Sequence, residues 1–149
     1  MIHSLKIFIG SGFYSGYFPK IPGTMGSFGA LLIFLIPGFE KPIIIIPMIV
    51  FSILISVYLG NYFEMKYGKD PAIFTLDEYI GTWIAFLFLP KTMLIITIGF
   101  ILWRVLDIIK PYPANKLEAI KGGWGIVLDD VISGMYSLII MHIFNILFY

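Results

Sequence analysis

Residues 79–103 read YIGTWIAFLFLPKTMLIITIGFILW. Pro90-Lys91 divides this apolar stretch into arms at 79–89 and 92–103. Each arm would be about 17 Å long as a helix, roughly half of a ~30 Å hydrocarbon core. Two foldings are open. A single kinked helix from 79 to 103 would bury Lys91 near mid-bilayer, at about 3 kcal/mol on insertion scales. It would also put Asp77 and Asp107 on opposite sides. A helical hairpin turning at Pro90-Lys91, with its arms lengthened into the flanking segments, would put them on the same side. The hairpin is the preferred reading, because Pro-Lys suits a turn and suits the middle of a bilayer poorly.

Composition points to lipid as the solvent. Of 149 residues, 59% are apolar and 13% charged. An ordinary soluble domain carries about 25% charged residues. A single domain over 1–149 could not hide so much apolar surface from water, whereas a bilayer solvates it directly. The net charge of +1, with its ten cations spread singly, gives no phosphate-tracking stripe and excludes nucleic acid as a partner. Absence of cysteine excludes disulfides, thiolate metal sites and a cysteine nucleophile.

Working outward, residues 1–23 are rich in Gly, Tyr, Phe and Pro and read as a short interfacial helix and a loop, not as a cleaved signal. Residues 24–36 are apolar, and Pro37 to Pro42 form a turn. Ile43 to Leu59 is uncharged and long enough to span with help from its flanks. Ser52, Ser56 and Gly60 lie at four-residue spacing, a small-residue face suited to close helix packing in lipid. Pro47 is a candidate kink. The segment 104–125 is the most polar, and Val131 to Tyr149 carries no charge, the clearest span. The expected fold is all-α: a polytopic membrane helical bundle with short or re-entrant helices.

With the hairpin, one side collects Lys6, Lys20, Lys66, Lys69, Arg104, Lys110, Lys116 and Lys121, and the other only Lys41 and Lys91. That asymmetry makes the first side cytoplasmic, in the plasma (inner) membrane. Trp103, Tyr112 and Trp124 stand near the boundary, as aromatic belts do.

The acids follow the same partition. Glu64, Asp70, Asp77, Glu78, Asp107, Glu118, Asp129 and Asp130 fall on the cytoplasmic side, and only Glu40 does not. A lone acid at a helix start commonly serves the helix dipole or faces water. Two adjacent pairs on separate apolar segments are harder to dismiss, since carboxylates beside lipid need a positive partner. A hard divalent cation would serve, and Mg²⁺ typically takes a few carboxylates plus substrate phosphate. Asp77, Glu78, Asp129 and Asp130 are the expected metal ligands.

Two further constellations bear on phosphate. PGTMGSFG at 22–29 is a glycine- and hydroxyl-rich turn opening a helix. Thr24 and Ser27 could bind phosphate at the helix N-terminus or simply cap it. In WRVLDIIKPYP at 103–113, Arg104 and Asp107 share a helix face. Arg104 and Lys110 could hold phosphate oxygens or anchor to lipid headgroups. His142 lies far along the last helix and is expected to pack or hydrogen-bond there. No histidine partners a serine on the acidic side, which argues against a Ser-His-Asp triad.

In chain order, the motifs are P-x-x-P-G-T-x-G-S at 19–27, K-D-P at 69–71, D-E-x-x-G at 77–81, R-x-x-D-x-x-K-P-x-P at 104–113 and G-G-x-G-I-x-x-D-D-x-x-x-G at 122–134. Together they resemble the phosphatidylglycerophosphatase A family; Ser133 stands where alanine is expected. The resemblance implies an enzyme, a Mg²⁺-dependent membrane phosphatase hydrolysing phosphatidylglycerophosphate to phosphatidylglycerol and inorganic phosphate. Its partners would be that phospholipid and the surrounding membrane lipid, and its active site would face the cytoplasm. Asp77, Glu78, Asp129 and Asp130 would hold one or two Mg²⁺ and activate water. Lys110, Arg104 and the Thr24–Ser27 turn would neutralise phosphate. Asp107 would orient Arg104 or act as a base beyond the metal. A covalent aspartyl-phosphate stays open. The alternative class is a small ion- or proton-coupled membrane transporter, which requires acids along a path through the bilayer.

Overall fold

The computed structural model describes residues 1–148; Tyr149, the end of the expected last span, lies outside them. The described residues form seven α-helices and no strands. They are α1 (Ile2–Gly10), α2 (Pro22–Leu35), α3 (Pro42–Tyr67), α4 (Leu76–Ala85), α5 (Met93–Ile109), α6 (Ala114–Leu117) and α7 (Gly123–Phe148). A short 3₁₀ turn, Ser15–Tyr17, lies between α1 and α2.

The stretch 79–103 is a hairpin. Helix α4 stops at Ala85, residues 86–92 turn, and α5 begins at Met93. Proline at 90 has no amide to continue a helix, and Thr92 restarts one, its hydroxyl accepting from the Ile95 amide at 3.3 Å. Lys91, at the tip, donates to the Ile36 carbonyl at 2.9 Å and pairs with Glu40. The hairpin tip and the 36–41 turn therefore meet at one end of the bundle, away from the acid pairs. Both arms run beyond the apolar stretch, to Leu76 and to Ile109. Asp77, Glu78 and Asp107 thus lie inside helices, within one end of the hairpin.

Helices α3 and α7 are each 26 residues long and apolar enough to cross a membrane. At 1.5 Å per residue each is about 39 Å long, beyond a ~30 Å hydrocarbon core. Their outward faces carry large exposed apolar side chains, including Phe51, Leu54, Ile143 and Ile146. Contiguous apolar surface of this kind is rare on soluble monomers. Pro47 lies inside α3, and the helix continues through it. Ser52, Ser56 and Gly60 are buried as the small-residue face requires. At Gly60 that face meets Gly123, where an added Cβ would come within 2.8 Å of the Gly123 Cα.

Every residue of α4 is buried. A helix enclosed all round by neighbours is the core of a bundle, and α4 packs against α2, α3, α5 and α7. One close contact is at Gly81. A methyl group there would overlap the Trp103 ring of α5, and one at Gly134 of α7 would lie 2.7 Å from the Gly81 carbonyl. Three helices converge on this point because two of them lack a side chain there. Gly81→Ala forces the fully buried Trp103 off its place. Overpacking of that kind costs about 1–3 kcal/mol, so thermal unfolding of the purified variant in detergent should show a midpoint several degrees below the parent's. An unchanged midpoint would contradict the packing described.

Candidate active site

One helical turn from the Gly81 contact, three carboxylates converge. Glu78 precedes Gly81 by three residues, Asp130 precedes Gly134 by four, and Asp107 follows Trp103 by four. On a helix these spacings share a face. One carboxylate oxygen from each of Glu78, Asp107 and Asp130 lies within 4.8 Å of the other two, and all three residues are buried.

These acids line a cavity of about 230 Å³. Helix α2 contributes Pro22 and Gly23, the loop before α4 contributes Asp70 to Ala72 and Phe74, and α4 contributes Asp77 and Glu78. Asp107 and Lys110 come from α5 and its end, and Asp129 and Asp130 from α7. Each of the five sequence motifs supplies at least two of these residues. Glu64 lies apart from them, accepting from the Gly122 amide, while Asn61 accepts from the Gly123 amide at 2.8 Å. Those two side chains of α3 satisfy amides at the start of α7 that no helical carbonyl reaches.

The two cations have different situations. Arg104 Nη1 donates to Glu78, to Asp107 at 2.8 Å and to the Ser27 hydroxyl at 3.1 Å. Ser27 in turn donates to Glu78 at 2.8 Å and accepts from the Trp103 indole at 3.3 Å. Arg104 and Ser27 therefore clamp two carboxylates of the trio. Neither is part of the cavity wall. Lys110 does line it, and donates to Asp129 at 2.6 Å and to Glu118 at 3.0 Å. Burial works against the lysine charge, and the Asp129 carboxylate overrides that, holding the ammonium well above the usual lysine range. The backbone at Lys110 is left-handed, φ 48°, where α5 ends before Pro111.

The segment 22–29 departs from the expected turn: Pro22 is already the first residue of α2. Neither Thr24 nor Ser27 caps the helix, since Ile21 holds the N-cap position and no side chain bonds there. Ser27 is instead buried one turn in, on Glu78. What faces the cavity is the bare first turn at Pro22 and Gly23, and a side chain at 23 would overlap the Glu78 carboxylate.

Some carboxylate oxygens in the cavity are left over. Asp77 Oδ1, Asp129 Oδ1 and Asp130 Oδ2 are buried with no hydrogen-bond partner. Buried polar atoms without partners are costly and call for a ligand or a functional role. An all-oxygen donor set with unsatisfied carboxylates fits a hard divalent cation. The ligand set read from the sequence was Asp77, Glu78, Asp129 and Asp130; the converging trio instead joins Glu78 and Asp130 to Asp107. Asp77 and Asp129 stand beside it. His142 hydrogen-bonds the Leu87 carbonyl at 3.0 Å, between helices as expected. Asp70 escaped singling out in the sequence, although K-D-P at 69–71 was its signal.

The model of the family described as Phosphatidylglycerophosphatase A matches residues 8–145. The chain belongs to the phosphatidylglycerophosphatase A family. It is 34% identical over 134 residues to "Phosphatidylglycerophosphatase A" of Escherichia coli (strain K12), covering 88% of this chain and 78% of that one. The Haemophilus influenzae protein of the same name is 30% identical over 144 residues, 94% of this chain and 86% of that one. A Bacteroides thetaiotaomicron protein named "Putative phosphatidylinositol-3-phosphatase" is 33% identical over 147 residues, 93% and 92% of the two chains. No solved structure matches. Family membership makes the chain a phosphatase, and the transporter alternative falls with it; the acids also gather at one end of the bundle, not along a path through it.

Removing Arg104 would leave two buried carboxylates without their cation. Breaking a buried pair in this way costs about 3–5 kcal/mol. Arg104→Met should therefore lower unfolding stability measured without substrate, an effect that a residue serving only to bind phosphate would not have.

Proposed function

We propose that this chain hydrolyses the terminal phosphomonoester of phosphatidylglycerophosphate, with Mg²⁺, to phosphatidylglycerol and inorganic phosphate. The observation that carries the reading is the converging trio Glu78, Asp107 and Asp130 beside a cavity, in a chain of this family. We place the protein in the plasma (inner) membrane with the cavity on the cytoplasmic side. Supporting this, the acid end bears most of the lysines and the far end only Lys41 and Lys91.

The residues divide the work. Glu78, Asp107 and Asp130 would hold Mg²⁺. When bound, that ion polarises phosphoryl oxygens and lowers the pKa of bound water. Arg104 and Ser27 keep Glu78 and Asp107 in place. The first turn of α2, open at Gly23, presents backbone amides and the positive end of the helix dipole to an anion. Lys110, charged and partly buried, neutralises a second phosphate edge, and Asp129 aims it. In the reaction the oxygen of water bonds to phosphorus, the ester P–O bond breaks, and the leaving glycerol oxygen takes a proton. The bare apolar flanks of α3 and α7 suit a substrate held in the same membrane by its acyl chains.

A second substrate reading comes from the Bacteroides relative, whose name points to a 3-phosphorylated phosphatidylinositol. Both candidates are lipid phosphomonoesters. Phosphate release from vesicles carrying either lipid decides between them. Phosphatidylglycerophosphate should be the better substrate, and activity should vanish in EDTA and return with Mg²⁺. The Asp107→Asn variant should lose more than the 10–100-fold typical of partners outside the metal shell. Undiminished activity in a doubly substituted Asp129→Asn, Asp130→Asn protein would overturn the site.

A further inference from the structure

A second cavity, of about 270 Å³, lies on the other side of α4. Leu76, Tyr79 and Trp83 form its α4 wall. On a helix these three share one face, and Asp77 and Glu78 point away from it. Among the described residues, none lines both cavities. The second cavity is apolar. Ile9 of α1, Ile33 of α2 and Ile55 of α3 face it, and Ser52 adds a hydroxyl. The polar groups of the α4 wall are already used. The Tyr79 hydroxyl donates to the Gly12 carbonyl at 3.1 Å, and the Trp83 indole N–H to the Ala30 carbonyl at 3.0 Å. Water there would find too few partners, and cavities of this kind stay dry or take hydrocarbon.

Exposed side chains mark its mouth: Met48, Phe51 and Phe13. Met48 and Phe51 belong to the outward apolar flank of α3, a helix long and apolar enough to cross a membrane. In a bilayer the mouth therefore faces acyl chains and not water. Phe13 is held there at φ 56°, and Tyr14 follows at φ 68°. Bulky residues rarely adopt that backbone. Such strain persists only where the surroundings fix it, and it gathers at ligand clamps. Here Tyr79 does the fixing, through its bond to Gly12 and an edge contact with the Phe13 ring, 5.9 Å between centroids.

We propose that this cavity binds an acyl chain of a bilayer phospholipid other than the substrate, seated against the back of the helix that carries Glu78. This rests on the membrane placement above. The substrate's own chains fit less well, because α4 stands between this cavity and the acids. Vesicles of phosphatidylcholine with dibrominated acyl chains test it, since bromine quenches tryptophan on contact and this lipid carries no phosphomonoester. In the full chain with Trp124→Phe, the half-exposed indole is gone. Trp83 on the cavity and the fully buried Trp103 remain. Emission should be lower in brominated than in plain vesicles. Adding Ser52→Leu, which puts a larger side chain into the cavity, should restore most of the loss. Ile33→Phe serves should Ser52→Leu fail to fold. Equal quenching in the filled proteins, or none in a protein that floats with the vesicles, would overturn the proposal. Emission regained on adding phosphatidylglycerophosphate with plain chains would give the cavity to the substrate and overturn it too. A chain that does not float with the vesicles would overturn the membrane placement itself, and the proposal with it.

Discussion

The structure depends on one steric constraint, the meeting of Gly81, Trp103 and Gly134. At this point α4, α5 and α7 come close because two residues offer no side chain and the third fills the space with an indole. Small residues let helix backbones approach closely, and this contact is of that kind. The three carboxylates of the trio sit one turn away, on the same faces. Packing in the core thus sets the spacing of the site. A helical hairpin turning elsewhere would move Asp107 along its axis and separate it from Glu78.

That arrangement carries an electrostatic load. Carboxylates gathered in a buried cavity repel one another and lose hydration. The protein offsets part of this with Arg104, fixed by Glu78, Asp107 and Ser27, and with Lys110 on Asp129. The clamp matters most for geometry, since it holds two ligand-capable oxygens from different helices to one guanidinium. Asp77, Asp129 and Asp130 each keep one unpartnered oxygen. Buried carboxyl oxygens without partners are costly, which marks this end of the bundle as functional.

The bundle is asymmetric along its long axis. At one end lie the cavity and the polar start of α7, tied to α3 through Glu64 and Asn61. At the other, Lys91 closes the hairpin tip against Glu40 and the Ile36 carbonyl. Helix α4 is buried throughout, while α3 and α7 present apolar flanks. A short core helix between two long ones leaves room at its head for a cavity. Lipid phosphate chemistry needs such a place, because the scissile bond of a membrane lipid lies at the interface.

The amino-acid sequence alone determined the all-α architecture, the apolar spans, the hairpin at Pro90-Lys91 and the gathering of acids at one end. These follow from local properties: apolar runs, proline's missing amide and the distribution of charge. It also named most of the cavity, since the five motifs mark the residues that line it. Tertiary structure alone decided which acids converge. Asp77 and Glu78 are neighbours in sequence, yet helical geometry separates their faces, and the oxygen that completes the trio comes from Asp107, 29 residues beyond Glu78. It also decided that Ser27 and Arg104 serve the carboxylates and not the helix end, because both bond Glu78 on α4, outside their own segments. Local sequence sets which side chains are present on a helix face; only the packing of three helices around Gly81 sets what those faces meet.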